Sequence, residues 1–244
     1  MFRREVWYLL RGLLLCAVAL SGAVHPQPRA ADIAWVWLSD DNPAASYPEI
    51  AVLVNELRVE GGRMSSRRRF KALLPAPQVV VTPVVHVNAP HGLPVAGLPD
   101  HLATIRAAVI DAATRSSSGW VQLDFEPHRR DLTHFVTLVA ELRAALPATM
   151  RLSVTAVASR CRDLAWVGSL RADELVPMLF RMGQAGPSLV RALRNDDASI
   201  HARCRAGAAG LAEREPVPAD LSARYTRRYW FNLGAPLHST RQLR

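Results

Sequence analysis

Residues 119–126 have the sequence Gly-Trp-Val-Gln-Leu-Asp-Phe-Glu, an apolar run that becomes acidic at its C-terminal end. A short apolar run of this kind predicts a buried strand at 121–125. Side chains two residues apart share one face of a strand, so Gln122, Asp124 and Glu126 are expected to point the same way. The α-carbons of the two carboxylates then lie about 7 Å apart, which raises the proton affinity of one of them. The pair suits a general acid beside an ionised partner, and a solvated or arginine-paired strand end is the alternative interpretation.

The segments on either side of this stretch alternate between short apolar runs and amphipathic runs. The predicted strands are residues 33–38, 50–59, 79–87, 121–125, 152–157, 175–180 and 229–231, and the predicted helices are 100–114, 131–146 and 188–194. Strands that are apolar on both faces and alternate with helices indicate a parallel sheet covered by helices. The predicted fold class is therefore α/β, a (β/α) TIM-type barrel with irregular or shortened elements, formed by residues 32–244 as a single domain. A doubly wound sheet is the alternative, but no glycine-rich turn of the dinucleotide or phosphate type follows any of these strands.

The N-terminal segment, residues 1–31, has the order of a secretory signal followed by a linker. Arginines precede an apolar run at 12–20, and small residues follow at 21–23. The run is short for a membrane span, so we expect an exported protein whose only membrane contact would be this segment, if it stays uncleaved. Cys161 and Cys204 remain beyond the signal, and an even pair of cysteines in an exported chain predicts a disulfide. Two buried free thiols are the alternative.

The formal net charge of +9 comes from 30 basic residues, all of them arginine except Lys71. Such an arginine excess is typical of a GC-rich genome, which weakens the charge as an indication of a nucleic-acid partner. No nucleic-acid motif accompanies the densest basic run, residues 63–71, so no nucleic-acid partner is predicted. The run is interpreted as a solvated loop, with a patch for phosphate or an anionic glycan as the alternative.

In a barrel of this class the functional site is built at the C-terminal ends of the strands. Besides Asp124 and Glu126, the predicted strand ends carry Trp37, Glu56, His86, Asn88, Thr155, Met178, Phe180 and Trp230. Aromatic rings beside carboxylates and amides suit a sugar, whose ring faces stack while its hydroxyls form hydrogen bonds. Each tryptophan taken alone is equally typical of core packing, and His86 of an interior histidine. No metal-ligand spacing or nucleophile elbow occurs, so neither a metal nor another cofactor is predicted.

The order of four segments resembles an uncharacterised family of exported bacterial proteins. These segments are an aromatic first strand, Val-Gln-Leu-Asp-Phe-Glu at 121–126, Leu-Ser-Val-Thr-Ala-Val-Ala-Ser-Arg-Cys at 152–161, and Asp-Glu-Leu-Val-Pro-Met-Leu-Phe-Arg-Met-Gly at 173–183. The resemblance covers most of residues 32–232. The family is related at the level of the fold to chitinase-like barrel glycoside hydrolases. It implies a barrel and a periplasmic or extracellular location more than it implies a reaction.

The chitinase-like barrels carry Asp-Gly-x-Asp-x-Asp-x-Glu on their fourth strand. Asp124 and Glu126 match this pattern, whereas Gly119, Trp120 and Gln122 depart from it. In those enzymes the glutamate protonates the leaving oxygen, and the aspartate steadies the acetamido group of the substrate as an internal nucleophile. The resemblance therefore implies that Glu126 is the general acid and Asp124 its orienting partner.

The sixth strand of the chitinase-like barrels ends in Met-x-Tyr-Asp. Met178 matches this pattern, but Phe180 and Arg181 replace the tyrosine and the aspartate. The sequence thus predicts a glycoside hydrolase-like protein acting on a polysaccharide or amino-sugar polymer, with Gln122 and the strand-end side chains lining its cleft. The alternative is a catalytically inactive barrel that binds an envelope or extracellular polysaccharide. A third interpretation is a scaffold protein whose basic loop meets acidic partners.

Overall fold

The computed structural model describes residues 31–37, 47–60, 62–69, 77–89 and 99–231. Its strands are β1 (Ala31–Val36), β2 (Glu49–Glu60), β3 (Arg63–Arg68), β4 (Val80–Asn88), β5 (Trp120–Phe125), β6 (Arg151–Val157), β7 (Glu174–Met178), β8 (Gly207–Ala212) and β9 (Tyr225–Phe231). Its helices are α1 (Leu102–Ala113), α2 (Leu132–Ala145), α3 (Leu164–Ser169), α4 (Gly186–Arg194) and α5 (Ala219–Ser222). The predicted signal segment lies outside the described residues, apart from Ala31. None of the helices within these ranges has the length and apolar character needed to cross a membrane.

Eight parallel strands close into a barrel in the order β1-β9-β8-β7-β6-β5-β4-β2, and β2 pairs again with β1. The closure is visible in the register, because Ala34 of β1 lies opposite Ile50 of β2 on one side and Trp230 of β9 on the other. The ninth strand, β3, runs antiparallel to β2 and is an extension outside the barrel. The predicted TIM-type barrel is therefore confirmed.

The outer face of β5 shows why this strand is apolar on one side and polar on the other. Leu123 and Phe125 point outward and are buried with Phe135 of α2, whose ring lies 5.6 Å from that of Phe125. Burying an aromatic or leucine side chain of this kind contributes about 1.5–3 kcal/mol. The alternating side chains Gln122 and Asp124 point into the barrel instead. This packing determines which side chains of residues 119–126 can reach the C-terminal end of the barrel.

Three features of the chain were not predicted from sequence. The basic stretch interpreted as a loop is strand β3, so that prediction is wrong for residues 63–68. Strand β8 has the sequence Gly-Ala-Ala-Gly-Leu-Ala, which lacks the β-branched and aromatic residues that indicate a strand. The helices α3 and α5 are only 6 and 4 residues long, too short to show a helical repeat of apolar residues.

A buried ion network fills the N-terminal end of the barrel interior. Arg227 donates to Glu49 at 2.7 and 3.1 Å and to Glu174 at 2.9 Å, and the hydroxyl of Tyr229 donates to Glu174 at 2.7 Å. Burial raises the pKa of Glu174 above its usual value, although Arg227 and the hydrogen bonds to Tyr229 and Ser153 act in the opposite direction. We call these four residues, Arg227, Glu49, Glu174 and Tyr229, the buried ion network. It lies at the end of the barrel opposite the expected site, and in TIM-type barrels the residues at that end contribute to stability.

The predicted disulfide between Cys161 and Cys204 is present. It joins the turn after β6 to the turn before β8, across a sequence separation of 43 residues. The chain-entropy model assigns roughly 4 kcal/mol of stabilisation to closing a loop of about this length. Because Ala158 and Ser159 in the first of these turns line the cleft described below, the bond also anchors one wall of that cleft.

Candidate functional site

A cleft of about 540 Å³ opens at the C-terminal end of the barrel strands. It is lined by Trp35, Trp37, His86, Asp124, Glu126, Val157, Ala158, Ser159, Met178, Phe180, Arg181, Met182, Ala185, Leu189 and Phe231. These residues come from β1, β4, β5, β6, β7 and β9 and from the segments that follow β1, β5, β6 and β7. Acidic, basic and aromatic side chains therefore meet in one concave site, as ligand-binding clefts of barrel proteins require.

Asp124 is held in one orientation by its neighbours on the two adjacent strands. The hydroxyl of Thr155 on β6 donates to Oδ1 at 2.7 Å, and Nδ1 of His86 on β4 lies 2.9 Å from Oδ2. The carboxylate is only 4% exposed. The parallel register explains this arrangement, because His86 lies directly opposite Asp124. Both oxygens of Asp124 are thus engaged, while the side chain still borders the cleft.

His86 is the basic partner of this carboxylate. Burial of the ring lowers the pKa of His86, but the hydrogen bond and the charge of Asp124 raise it by more. The charges of Glu56 and Glu126 also raise this pKa. The net result is a pKa for His86 above its usual value of 6.5. The cleft therefore contains an imidazole whose protonation depends on the carboxylate beside it.

We expect a titration of His86 by nuclear magnetic resonance to have its midpoint above 6.5. Replacing Asp124 with asparagine should lower that midpoint, because burial then acts against the charged ring without its main compensating partner. Thr155→Val is the matched control, since it removes a hydrogen bond to Asp124 but leaves the charge that faces His86. A midpoint that is the same in wild type and Asp124→Asn would contradict the assigned pairing.

Four aromatic side chains form one wall of the cleft. The rings of Phe180 and Phe231 are stacked, with centres 5.3 Å apart and planes inclined by 11°. Trp37 meets Phe231 edge-on at 5.7 Å and His86 at 4.9 Å, and Trp35 meets Phe231 at 6.0 Å. We call Trp35, Trp37, Phe180 and Phe231 the aromatic wall. Sugar rings stack on surfaces of this kind through their apolar C–H faces.

Gly210 of β8 makes room for this wall. A β-carbon placed on Gly210 would lie 3.4 Å from ring carbons of both Trp35 and Phe180. That distance is tighter than most real contacts of a β-carbon, so any larger side chain there would displace the two rings. Gly210, one of the small residues that made β8 hard to predict, thus leaves room for the rings of Trp35 and Phe180.

Seven of the predicted site residues meet in the cleft. They are Asp124, Glu126, Trp37, His86, Met178, Phe180 and Arg181. Thr155 lies behind Asp124 and reaches it by the hydrogen bond given above. That these residues bind a substrate stays a prediction.

Glu56 and Asn88 lie beside the cleft and not in its lining. The pairing of β2 with β4 shifts between Leu53 and Asn55, and this irregularity sets Glu56 opposite His86. Asn88 donates to Glu56 at 3.5 Å, a long hydrogen bond. Glu56 therefore affects the site through its charge on His86.

Gln122 and Trp230 lie elsewhere in the barrel. Gln122 is fully buried below Asp124 and donates to Ser153 at 3.1 Å. Trp230 lies on the outer side of β9, where its indole nitrogen donates to Asp32 at 2.7 Å. Phe231, the next residue, is the one that enters the cleft. Phe231 was not predicted from the sequence as a site residue, although the alternation of side chains along the whole of β9 indicates it.

The fold and the site define a closed (β/α) barrel with a carboxylate pair and an aromatic wall at the C-terminal mouth. Within the described residues, no group of three or more His, Cys, Asp or Glu side chains is arranged to hold a metal ion.

The chain is distantly similar to a solved structure. No protein-family model matches the chain, and no curated protein is significantly similar to it. The crystal structure of the Bacillus cereus spore cortex-lytic enzyme SleL is similar at 17% sequence identity with a TM-score of 0.48. The match covers 76% of this chain and 52% of SleL, so the chain spans about half the length of that protein. A likeness this distant carries no argument about the site.

Proposed function

We propose that this chain is an exported protein that hydrolyses glycosidic bonds in a polysaccharide or amino-sugar polymer. The observation that carries the proposal is the meeting of Asp124 and Glu126 with the aromatic wall in one cleft at the mouth of the barrel. Aromatic faces bind sugar rings, and paired carboxylates supply the acid and the anionic partner that cleavage of a glycosidic bond needs. Fold alone would not support a reaction, so the proposal depends on this site.

In the proposed reaction Glu126 is the general acid. It follows β5 directly and is exposed to the cleft. Its carboxylic acid gives a proton to the glycosidic oxygen as the bond from that oxygen to the sugar carbon breaks. Water then adds to that carbon and gives up a proton that restores the acid form of Glu126. Asp124, fixed by Thr155 and His86, supplies the negative charge that stabilises the developing cation on the sugar ring. On an amino sugar, Asp124 would instead orient the acetamido group that attacks that carbon.

The proposed location is the periplasm or the extracellular space. The disulfide between Cys161 and Cys204 fits an oxidising compartment, where such bonds form and persist. The charged, apolar and small-residue order of the first 31 residues is typical of a secretory signal. A glycan polymer of the envelope or the surroundings is the class of partner that such a protein meets.

A catalytically inactive glycan-binding barrel is the second candidate. Phe180 and Arg181 stand where the chitinase-like pattern has tyrosine and aspartate, so the hydroxyl that would hold an acetamido oxygen is missing. Both oxygens of Asp124 also have protein partners already. This candidate predicts the same cleft and the same ligands without turnover.

The deciding experiment measures new reducing ends. The purified protein is incubated with soluble amino-sugar polymers and uronic-acid polymers, and binding to each polymer is measured in parallel. Release of reducing ends supports the hydrolase. Binding without release would reject the hydrolase in favour of the inactive barrel, and neither binding nor release would reject both.

A further inference from the structure

Arg181 occupies a backbone conformation that is unfavourable for an arginine. Its φ angle is +51°, in the left-handed region where a β-carbon costs roughly 1–2 kcal/mol and where glycine is the usual residue. The backbone N–H of Arg181 donates to a carboxylate oxygen of Glu215 at 2.6 Å, which holds this turn in place. Strain of this kind persists where the surrounding structure fixes it and is concentrated at ligand-binding sites.

The side chain of Arg181 lies against the aromatic wall. Its guanidinium carbon is 5.8 Å from the ring centre of Phe231, and Phe231 is itself stacked on Phe180. A planar guanidinium stacks well on an aromatic ring and keeps the N–H groups at its edge available for hydrogen bonds. This contact places the positive charge of Arg181 beside the surface on which a sugar ring would lie.

The guanidinium of Arg181 has no carboxylate partner among the described residues. The arginines of β9 are different, because Arg227 pairs with Glu49 and Glu174, and Arg228 pairs with Asp32. Arg181 lines the cleft, where its charge faces the space that a ligand would fill. An arginine with a left-handed backbone conformation, a cation–π contact and no carboxylate partner among the described residues is suited to bind an anion on the ligand.

We propose that the cleft takes an acidic glycan and that Arg181 binds the carboxylate of a sugar stacked on the aromatic wall. This inference rests on the proposed function, since it names the substrate class of the same site. The guanidinium fork matches a carboxylate with two parallel N–H···O hydrogen bonds, which a hydroxyl group or an ester does not reproduce. His86, whose pKa is raised by Asp124, also lines the cleft.

Strand β3 provides independent support, because its arginines lie beside the C-terminal half of β2. It pairs with residues 55–60, the C-terminal half of β2, and so extends the sheet on the same end of the barrel as the cleft. Arg63 and Arg67 of this strand are exposed. A polymer with a carboxylate on each repeating unit would meet these charges after leaving the cleft, and a neutral polymer would gain nothing from them.

The test compares matched pairs of ligands by calorimetry. One pair is a short oligogalacturonate and its methyl ester, which have the same size and differ in charge. The other pair is an amino-sugar oligosaccharide with and without a carboxyethyl ether, which distinguishes the two sources of a sugar carboxylate. The proteins are wild type, Arg181→Gln, Arg181→Lys and the control Arg191→Gln, which alters an exposed arginine of α4 outside the cleft lining.

In wild type, at least one acidic ligand should bind about tenfold to a hundredfold more tightly than its neutral partner, the range expected for charged hydrogen bonds. That ratio should fall close to one in Arg181→Gln, be intermediate in Arg181→Lys and stay unchanged in Arg191→Gln. If Arg181→Gln does not fold, as judged by thermal melting, the reduced ratio in Arg181→Lys carries the test.

Two results would overturn the inference and leave the proposed function standing. In one, wild type binds acidic and neutral ligands equally well. In the other, an Arg181 variant keeps the full preference for the acid. If wild type binds none of the four ligands, the glycan cleft of the proposed function fails, and the inference fails with it.

Discussion

Replacing Glu126 with glutamine is expected to lower the turnover number on a polysaccharide by about 10²- to 10⁴-fold, the contribution of a positioned general acid. Glu126 directly follows β5 and lines the cleft together with Asp124. Glutamine keeps the size of the side chain and can still form hydrogen bonds, but it has no acidic proton to give to the leaving oxygen. The affinity for the polymer should change little, because the aromatic wall is intact.

The dependence on the leaving group separates proton donation from a structural role. A nitrophenyl glycoside releases a phenolate that needs little protonation, so Glu126→Gln should slow its bond cleavage far less than that of the polysaccharide. Equal losses on both substrates would show that Glu126 does not protonate the leaving group. Steady-state rates on the two substrates, with wild type and variant at the same pH, give this comparison.

Glu141→Gln is the matched control for this experiment. Glu141 is an exposed residue of α2 that pairs with Arg106 at 2.9 Å, outside the lining of the cleft. The substitution makes the same chemical change without touching the site. Its rates should equal those of wild type. A loss of rate found only in Glu126→Gln is then due to the position of Glu126 in the cleft and not to the loss of one negative charge.

Residues 119–126 were informative because two physical constraints act on them together. Leu123 and Phe125 must be buried under helices, and this requirement turns Gln122 and Asp124 to the inside of the barrel. Asp124 is the last inward residue before the strand ends, so a parallel barrel can place it only at the functional mouth. The hydrophobic pattern alone therefore predicted the fold and this half of the site.

The extent of β9 was harder to predict from the sequence, because charged residues interrupt the apolar pattern of this strand. The consecutive aromatic residues cover only 229–231, whereas β9 begins at Tyr225 and includes Arg227 and Arg228. Arg227 is turned inward by the carboxylates that it meets inside the barrel, which the sequence pattern does not show. Once Arg227 and Tyr229 are known to face inward, alternation places Phe231 in the cleft and Trp230 outside.

Replacing Arg227 with methionine is expected to lower the free energy of unfolding at pH 7 by about 4 kcal/mol, the usual cost of removing one partner of a buried ion pair. The guanidinium of Arg227 bridges Glu49 and Glu174 and lies 4.7 Å from the ring centre of Trp120. Methionine fills part of the space but leaves two buried carboxylates without a counter-charge. Chemical denaturation at fixed temperature measures the change.

The loss should depend on pH in a direction that identifies its cause. Burial already raises the pKa of Glu174 above 4.5, and Arg227 lowers it, so the variant should have a still higher pKa in the folded state. A group whose pKa is higher when folded binds a proton more strongly in that state, so it favours folding as the pH falls. The difference from wild type should therefore shrink between about pH 7 and pH 5. A difference that is independent of pH would point to lost packing instead of unpaired charge.

Arg228→Met is the control, because it removes an arginine from the next position of the same strand. Arg228 donates to both oxygens of Asp32 at 2.8 Å, but Asp32 is 42% exposed, so water replaces the lost partner. The expected loss is at most about 1 kcal/mol. Adding Glu49→Gln and Glu174→Gln to Arg227→Met should recover much of the larger loss, since buried amides need no counter-charge. Equal destabilisation by Arg227→Met and Arg228→Met would mean that the buried ion network is not what stabilises the N-terminal end of the barrel.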